Sequence, residues 1–271
     1  MNVIVTGAAS GIGCRLATLL VRAGHSLIAT DIDFARLKQA STELYWPADS
    51  VLIAQQDVAS PRAWAELMAV AEKRFGRLDA VVNVAGVLRV EAVQALRPES
   101  IALQIDVNVK GVMLGTQAAA GLMVRQQHGH IVNIASLAAL APIPGIAVYS
   151  GSKFAVRGFS LAAAQELEPH GVVVSVVCPD AVDTPMVDYQ LDQPGAALTF
   201  SGPRVLTTDE VASAIVQLLA RPRRELVIPW RRGLLARVSN LLPRALNRRL
   251  IKRLASKGRD RQESLRGQRG A

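Results

Sequence analysis

The amino-acid sequence predicts an α/β domain: a seven-stranded parallel sheet, doubly wound with helices on both faces. Three observations carry that prediction. Short apolar runs alternate with helix-length stretches from the first residues to about residue 229. The short runs are near-continuous in Val, Ile and Leu, which marks strands covered on both faces. Half of the residues are hydrophobic but only 4% are aromatic, a mix suited to tight helix–sheet packing. A chain of 271 residues is long enough for one such core.

In chain order, NVIVT is the first strand, and Gly-rich residues then open a helix, GCRLATLLVRAG, that ends at Gly24. SLIATD and VLIAQQDV are the second and third strands, and a helix over 61–75 follows, closed by FGRLD. AVVNVAG is the fourth strand, and two helical stretches cover 98–126. HIVNIAS is the fifth. The helix over 146–168 stops at Pro169–His170–Gly171, where proline and glycine break the pattern. VVVSVVCP is the sixth strand, TDEVASAIVQLLA a helix with a Thr/Asp start, and ELVIP the seventh strand. Residues 186–205 form the longest piece without periodicity, and loops of that length in compact domains are often lids.

The net charge of +9 is unevenly placed. Residues 231–271 hold 13 Lys/Arg against Asp260 and Glu263, whereas residues 1–230 carry 18 basic and 20 acidic groups. The basicity therefore belongs to the tail. Leu234, Val238, Leu241, Leu242 and Ala245 fall on one helical face of it, and Leu246, Leu250 and Leu254 make a second stripe. Arg248, Arg249, Lys252 and Arg253 flank that stripe, and Pro243 starts a second helix. This divides the chain into a domain over 1–229, a basic amphipathic helical extension over 230–256 and a disordered end over 257–271. A basic helix with a leucine face suits an anionic membrane surface. Packing of the tail on the core or on a partner subunit is the rival reading, and nucleic acid is not expected.

Cys14 and Cys178 each sit in an apolar patterned segment and read as free thiols in a reducing compartment; no metal-ligand spacing is present. The opening MNVIVTGAASG is already a strand and a turn, and no run of 18 apolar residues occurs. The expectation is a cytoplasmic protein, not secreted, with peripheral attachment to a membrane surface as the tail's option.

TGAASGIG, residues 6–13, lies between the first strand and the first helix. Glycines there let the backbone turn sharply, and the helix N-terminus offers N–H groups and a positive dipole end to a pyrophosphate. Asp31 ends the next strand, about twenty residues on, where a carboxylate can hold both ribose hydroxyls of NAD and repel the 2′-phosphate of NADP. Arg15, inside the helix, is the one candidate for welcoming that phosphate. Asp57 ends the third strand, placed to meet the adenine.

Tyr149 and Lys153 are four residues apart in AVYSGSKFA and share a helix face. A phenol near its ordinary pKa of about 10 is a weak acid/base at neutrality, and a neighbouring ammonium lowers that value. Ser136 ends the fifth strand, where its hydroxyl can hold a carbonyl oxygen while Tyr149 gives or takes the proton.

Together TGAASGIG, Asp57–Val58, NVAG (83–86), Asn108 in DVNVKG, Ser136 and YSGSK resemble the short-chain dehydrogenase/reductase family, over about residues 1–228. The resemblance implies a Rossmann-type fold and an NAD-dependent oxidoreductase interconverting a secondary alcohol and a ketone. Tyr149 would be the acid/base, Lys153 would lower its pKa and bind the nicotinamide ribose, Ser136 would orient the substrate oxygen, and Asn108 would anchor a water in a proton relay. Gly7, Ser10, Gly11, Ile12 and Gly13 would line the pyrophosphate. Asp57, Val58 and the turn of Asn83, Ala85 and Gly86 would line the adenosine. PDAVDTPM resembles a family segment that would bring Val182 and Thr184 to the nicotinamide. Family members commonly form dimers or tetramers, through helices matching 98–126 and 146–168. Two departures stand out: Val84 where the family has a second Asn, and Asp180 where it has Gly.

The segments that would form the substrate pocket are apolar: LAALAPIPGIAV after Ser136, and Met186, Val187, Tyr189, Leu191, Leu198 and Phe200 in the lid. Such a pocket suits a hydrophobic substrate (sterol-, retinoid-, sphingoid- or acyl-lipid-like) and a place in lipid or steroid metabolism. Arg89 is near enough to NVAG to contact an acidic group. A small soluble alcohol or ketone, and a non-catalytic dinucleotide-binding scaffold with a partner-recruiting tail, are the alternatives.

Overall fold

The computed structural model describes residues 1–269, the side chain of Arg244 excepted; Gly270 and Ala271, the end of the segment expected to be disordered, lie outside the described residues. The strands are β1 (Asn2–Thr6), β2 (Ser26–Asp31), β3 (Val51–Gln55), β4 (Ala80–Asn83), β5 (Gly129–Ile134), β6 (Val172–Pro179) and β7 (Glu225–Ile228). They form one parallel sheet in the order β3-β2-β1-β4-β5-β6-β7. The helices are α1 (Gly11–Arg22), α2 (Phe34–Glu43), α3 (Pro61–Phe75), α4 (Pro98–Ile105), α5 (Gly111–Gln126), α6 (Ala147–Leu167), α7 (Pro185–Leu191), α8 (Thr208–Ala220), α9 (Trp230–Ser239) and α10 (Arg244–Arg269).

The central apolar strands are buried on both faces, as their composition requires, and the edge strands β3 and β7 are partly buried. Val3 and Val5 of β1 pack with Leu16 and Leu20 of α1 and Ile215 of α8 on one face. Ile4, between them, faces Trp64 and Leu67 of α3 and Met123 of α5 on the other. Local chemistry fixes the helix starts. The Ser60 hydroxyl accepts from the Ala63 N–H ahead of Pro61, and Thr207 and Glu210 form a reciprocal capping box on α8. The direction of winding reverses between β1 and β4. The C-terminal ends of these strands therefore open a crevice, the usual ligand position in such sheets.

The tail departs most from expectation. Its disordered end, as far as Arg269, is instead the second half of α10. That half lies across α7 and the 3₁₀ turns over Pro194–Ser201, the former lid segment. Gly258 has no Cβ because one would stand 1.9 Å from the Ala197 carbonyl oxygen, and Leu265 joins Val187, Leu191 and Phe200 in an apolar cluster. Buried Gln262 donates its Nε2 amide to the carbonyls of Gln190 (2.8 Å), Leu191 (3.1 Å) and Gln193 (2.9 Å). Arg266 pairs with Asp192 at 2.7 Å, and Arg269 reaches Asp183 and Asp188. Four of the polar residues that suggested disorder, Arg261, Gln262, Arg266 and Arg269, thus have protein partners.

Candidate active site

The crevice at the ends of β1 and β4 is one continuous cavity of about 880 Å³. Its first end is built largely by backbone. Gly7 adopts φ +68°, a conformation costly for a residue with a Cβ, and a Cβ on Gly13 would stand 2.1 Å from the Gly7 carbonyl oxygen. This close packing lets α1 start directly beneath the turn, with the Ser10 side chain not engaged in capping. The Asp31 carboxylate closes this end, accepting from the Ala9 N–H at 2.9 Å and the Asp33 N–H at 3.0 Å. Ile12, Asp57 and Val58 share the wall. Thr6 Oγ1 accepts from the N–H groups of Val84 (3.1 Å) and Ala85 (3.2 Å), which ties the 83–86 turn to β1. Thr184 packs over Gly11, so the segment after β6 meets the phosphate turn, with Val182 beside it on the cavity wall. These features fit a dinucleotide: a glycine cradle at a helix start, a carboxylate one strand away, and a path along the sheet edge.

Midway along the cavity stand Ser136, Tyr149 and Lys153. The first turns of α6 present Tyr149 and Lys153 on one face, with Lys153 Nζ 5.6 Å from the phenol ring centroid and donating to the Ile134 carbonyl at 2.9 Å. Ser136 caps the short turn after β5, its Oγ accepting from the Ala138 N–H at 3.1 Å. The expected lowering of the phenol pKa is not the balance found. Burial pushes Tyr149 up to about 12, and a hydrogen bond with Ser136 offsets only part of this. Burial also pushes Lys153 down, to about 8. At neutral pH the phenol therefore keeps its proton, and the Lys153 amine, still below its pKa, keeps its charge.

Two predicted site residues do not reach the cavity. Asn83 is turned into the interior, where its Nδ2 donates to Asn133 Oδ1 at 2.8 Å, within a buried network that includes Thr116 and Ser160. Fully buried Asn108 sits in a π-helical turn, Asp106–Lys110, between α4 and α5. Its amide accepts from the Val87 N–H and donates to the Val87 carbonyl, both at 2.8 Å, and also donates to Ser152. It holds the 86–88 turn against α6, and the π turn aims it there.

The far end of the cavity contains residues that motif reading did not select. Leu235 and Ala236 of α9, and Asn247, Leu250, Ile251 and Leu254 of α10, complete its wall. Asp180, in place of the family glycine, pairs with Arg232 of α9 at 2.8 Å, and Arg232 also donates to Ser201 at 3.1 Å. This buried pair links the strand end beside Tyr149 to the tail. The excess of basic residues after 230 and the acids at 180, 183, 188 and 192 were the available signal. Val84 packs partly buried against the sheet core. Cys14 and Cys178 are both free.

A doubly wound parallel sheet with a glycine cradle and a Ser–Tyr–Lys set in one crevice defines a nucleotide-linked oxidoreductase. Residues 1–195 match the short chain dehydrogenase family model, and the chain belongs to that family. It is 34% identical over 222 residues to a cyclopentanol dehydrogenase of Comamonas sp. (strain NCIMB 9872), an alignment covering 80% of this chain and 89% of that protein. Among solved structures it is similar to a closed form of serine dehydrogenase complexed with NADP+ (TM-score 0.76, 32% identity, 84% of this chain and 94% of that one). A levodione reductase shares the fold at TM-score 0.77 and 24% identity, over 83% of this chain and 94% of that one. The cofactor is thus NAD(P), and the chemistry is that of an oxidoreductase.

Proposed function

We propose that the chain interconverts a secondary alcohol and a ketone on a hydrophobic substrate, with NAD(H) as cofactor, and works as a peripheral enzyme at an anionic membrane surface. The observation that carries this reading is the single cavity in which Ser136, Tyr149 and Lys153 face an apolar chamber finished by α10. When bound, the nicotinamide supplies or takes the hydride. In the reducing direction the Tyr149 phenol donates its proton to the carbonyl oxygen that the Ser136 hydroxyl holds. The Lys153 ammonium stabilises the phenolate left behind, and Asn108, bonded to Val87 and Ser152, keeps the turn beside Lys153 in place.

The NAD preference rests on this chain's own crevice, since the related serine dehydrogenase structure holds NADP+. Asp31 ends β2 beside the glycine turn, where a carboxylate would hold the ribose hydroxyls of NAD and repel a 2′-phosphate. Arg15, the cation able to welcome a 2′-phosphate, instead pairs with Asp209 at 2.6 Å. The basic residues lining the cavity, among the described residues, are Arg89, Lys153 and Arg232, none of them on the β2 side. A homo-oligomer through the 98–126 and 146–168 helices belongs to the same reading, and Ile101, Ile105 and Phe154 are exposed there.

The test is steady-state turnover of a secondary-alcohol panel with each cofactor. kcat/KM with NAD should exceed that with NADP at least about tenfold, the effect of one unfavourable charge contact. Tyr149→Phe should cut turnover by roughly a thousandfold while NADH fluorescence titration gives an unchanged Kd. Retained turnover in that variant ends the mechanism, and equal use of both cofactors ends the NAD assignment.

A further inference from the structure

The two halves of α10 use their charge differently. In the C-terminal half, Arg261 donates to the Gly202 carbonyl at 2.6 Å, Arg266 pairs with Asp192 at 2.7 Å, and Arg269 pairs with Asp183 and Asp188. In the N-terminal half, Arg248, Arg249, Lys252 and Arg253 are exposed, and among the described residues none has an acidic partner. Beside them α9 carries Trp230, Leu234 and Val238, spaced by four residues along one face, and Leu241 follows in the turn after it; the four are between 45% and 84% exposed. An uncovered apolar stripe at helical spacing, next to unpaired cations, is a composite surface that water alone does not favour.

The stripe adjoins the cavity. Leu235, next in sequence to the stripe residue Leu234, lines the cavity and is itself 42% exposed. Asn247 and Leu250, in the first two turns of α10, also line it. The α9–α10 turn is therefore where the apolar chamber meets the surface.

We propose that the α9–α10 turn docks on an anionic lipid bilayer, with the Trp230–Leu241 stripe in the headgroup region, the four cations on lipid phosphates, and the mouth of the cavity facing the lipid. This names the docking face and entry route for the apolar substrate, and it rests on the activity proposed above. Charge complementarity favours a lipid surface over a second copy of this chain. Glu225 and Asp180, the acids that α9 itself pairs with, are already engaged, Glu225 by Arg157 and Arg237, and Asp180 by Arg232. Nucleic acid would leave the leucines without a partner. Among the described residues no helix is long and apolar enough to cross a membrane, which fits binding in the plane of the surface.

The experiment is co-sedimentation of the full chain with vesicles of phosphatidylcholine alone and of phosphatidylcholine mixed with phosphatidylglycerol, at physiological salt. The chain should partition onto the mixed vesicles and remain free of the neutral ones. Replacing Arg248, Arg249, Lys252 and Arg253 together by Gln should weaken binding on the order of a hundredfold. Leu234→Ser with Leu241→Ser should weaken it by about tenfold or more. NAD-linked turnover of soluble secondary alcohols, beginning with cyclopentanol and without vesicles, should be the same in both variants as in the unaltered chain, which also shows that they fold. Failure of the unaltered chain to bind mixed vesicles overturns the proposal, as does equal binding by both variants or binding to duplex DNA in preference to vesicles. Vesicle binding without turnover of any alcohol leaves the docking surface standing and removes the proposed activity; turnover without vesicle binding does the reverse.

Discussion

The two ends of the cavity are made by different means. The cofactor end is made mostly of backbone and strand termini from the first half of the chain, the Gly7–Gly13 turn, Asp31 and the 84–86 turn tied to Thr6, with Val182 and Thr184 laid over it from the segment after β6. The substrate end is made of side chains from segments a hundred residues and more downstream, joined by Gln262, the Asp180–Arg232 pair and the close contact at Gly258. The first is fixed by sterics that tolerate almost nothing. The second is fixed by polar contacts, each modest, so it can be loosened in steps. Cofactor binding and substrate fit should therefore fail separately.

The largest effect expected is at Gly13. An Ala there must displace the Gly7 carbonyl, 2.1 Å from the new Cβ, and so distort the phosphate turn. Gly13→Ala should raise the NADH Kd by at least about a hundredfold, the consequence of losing roughly 3 kcal/mol of fit. Normal NADH binding would show that the cradle is not what holds the cofactor.

Next is the charged link. Asp180→Asn leaves the Arg232 guanidinium without its carboxylate in a site where Arg232 is only 16% exposed, a loss on the order of 3 kcal/mol. Thermal unfolding should come several degrees earlier, and the KM for a bulky apolar alcohol should rise while NADH affinity holds. An equal fall in NADH affinity would erase the distinction between the two ends.

The smallest effect belongs to Gln262. Gln262→Leu takes the side-chain donor from the Leu191 carbonyl and from those of Gln190 and Gln193, which keep the Gln193 and Ala196 N–H groups, a loss of about 2 kcal/mol. The prediction is faster hydrogen exchange over α7 and α10 and a several-fold higher KM for bulky substrates, with kcat for small soluble alcohols unchanged.

The same division decided what could be read from the sequence. The sheet was legible because its central strands are buried on both faces and so must be continuous Val/Ile/Leu runs. Gly7, Gly13 and Asp31 were legible because their spacing along the chain is their spacing in the site. Asn83 was misplaced because a strand-end position does not reveal which way its side chain turns; here Asn133 captures it. The Tyr149 shift was misjudged because i,i+4 spacing shows the ammonium but not the depth at which both groups are buried. Residues 257–269 read as disorder because composition counts charges without their partners. Arg266 and Arg269 find theirs at Asp192, Asp183 and Asp188, more than seventy residues away.

The family match ends at Pro194–Gly195, before the surface on which α10 rests is complete. One wall of the substrate chamber therefore comes from outside the shared domain, like a part fitted by a different maker. The family match covers Ser136, Tyr149 and Lys153, while Leu250, Ile251 and Leu254 on the cavity wall lie beyond it. Kinship therefore predicts the reaction of this enzyme better than it predicts the substrate.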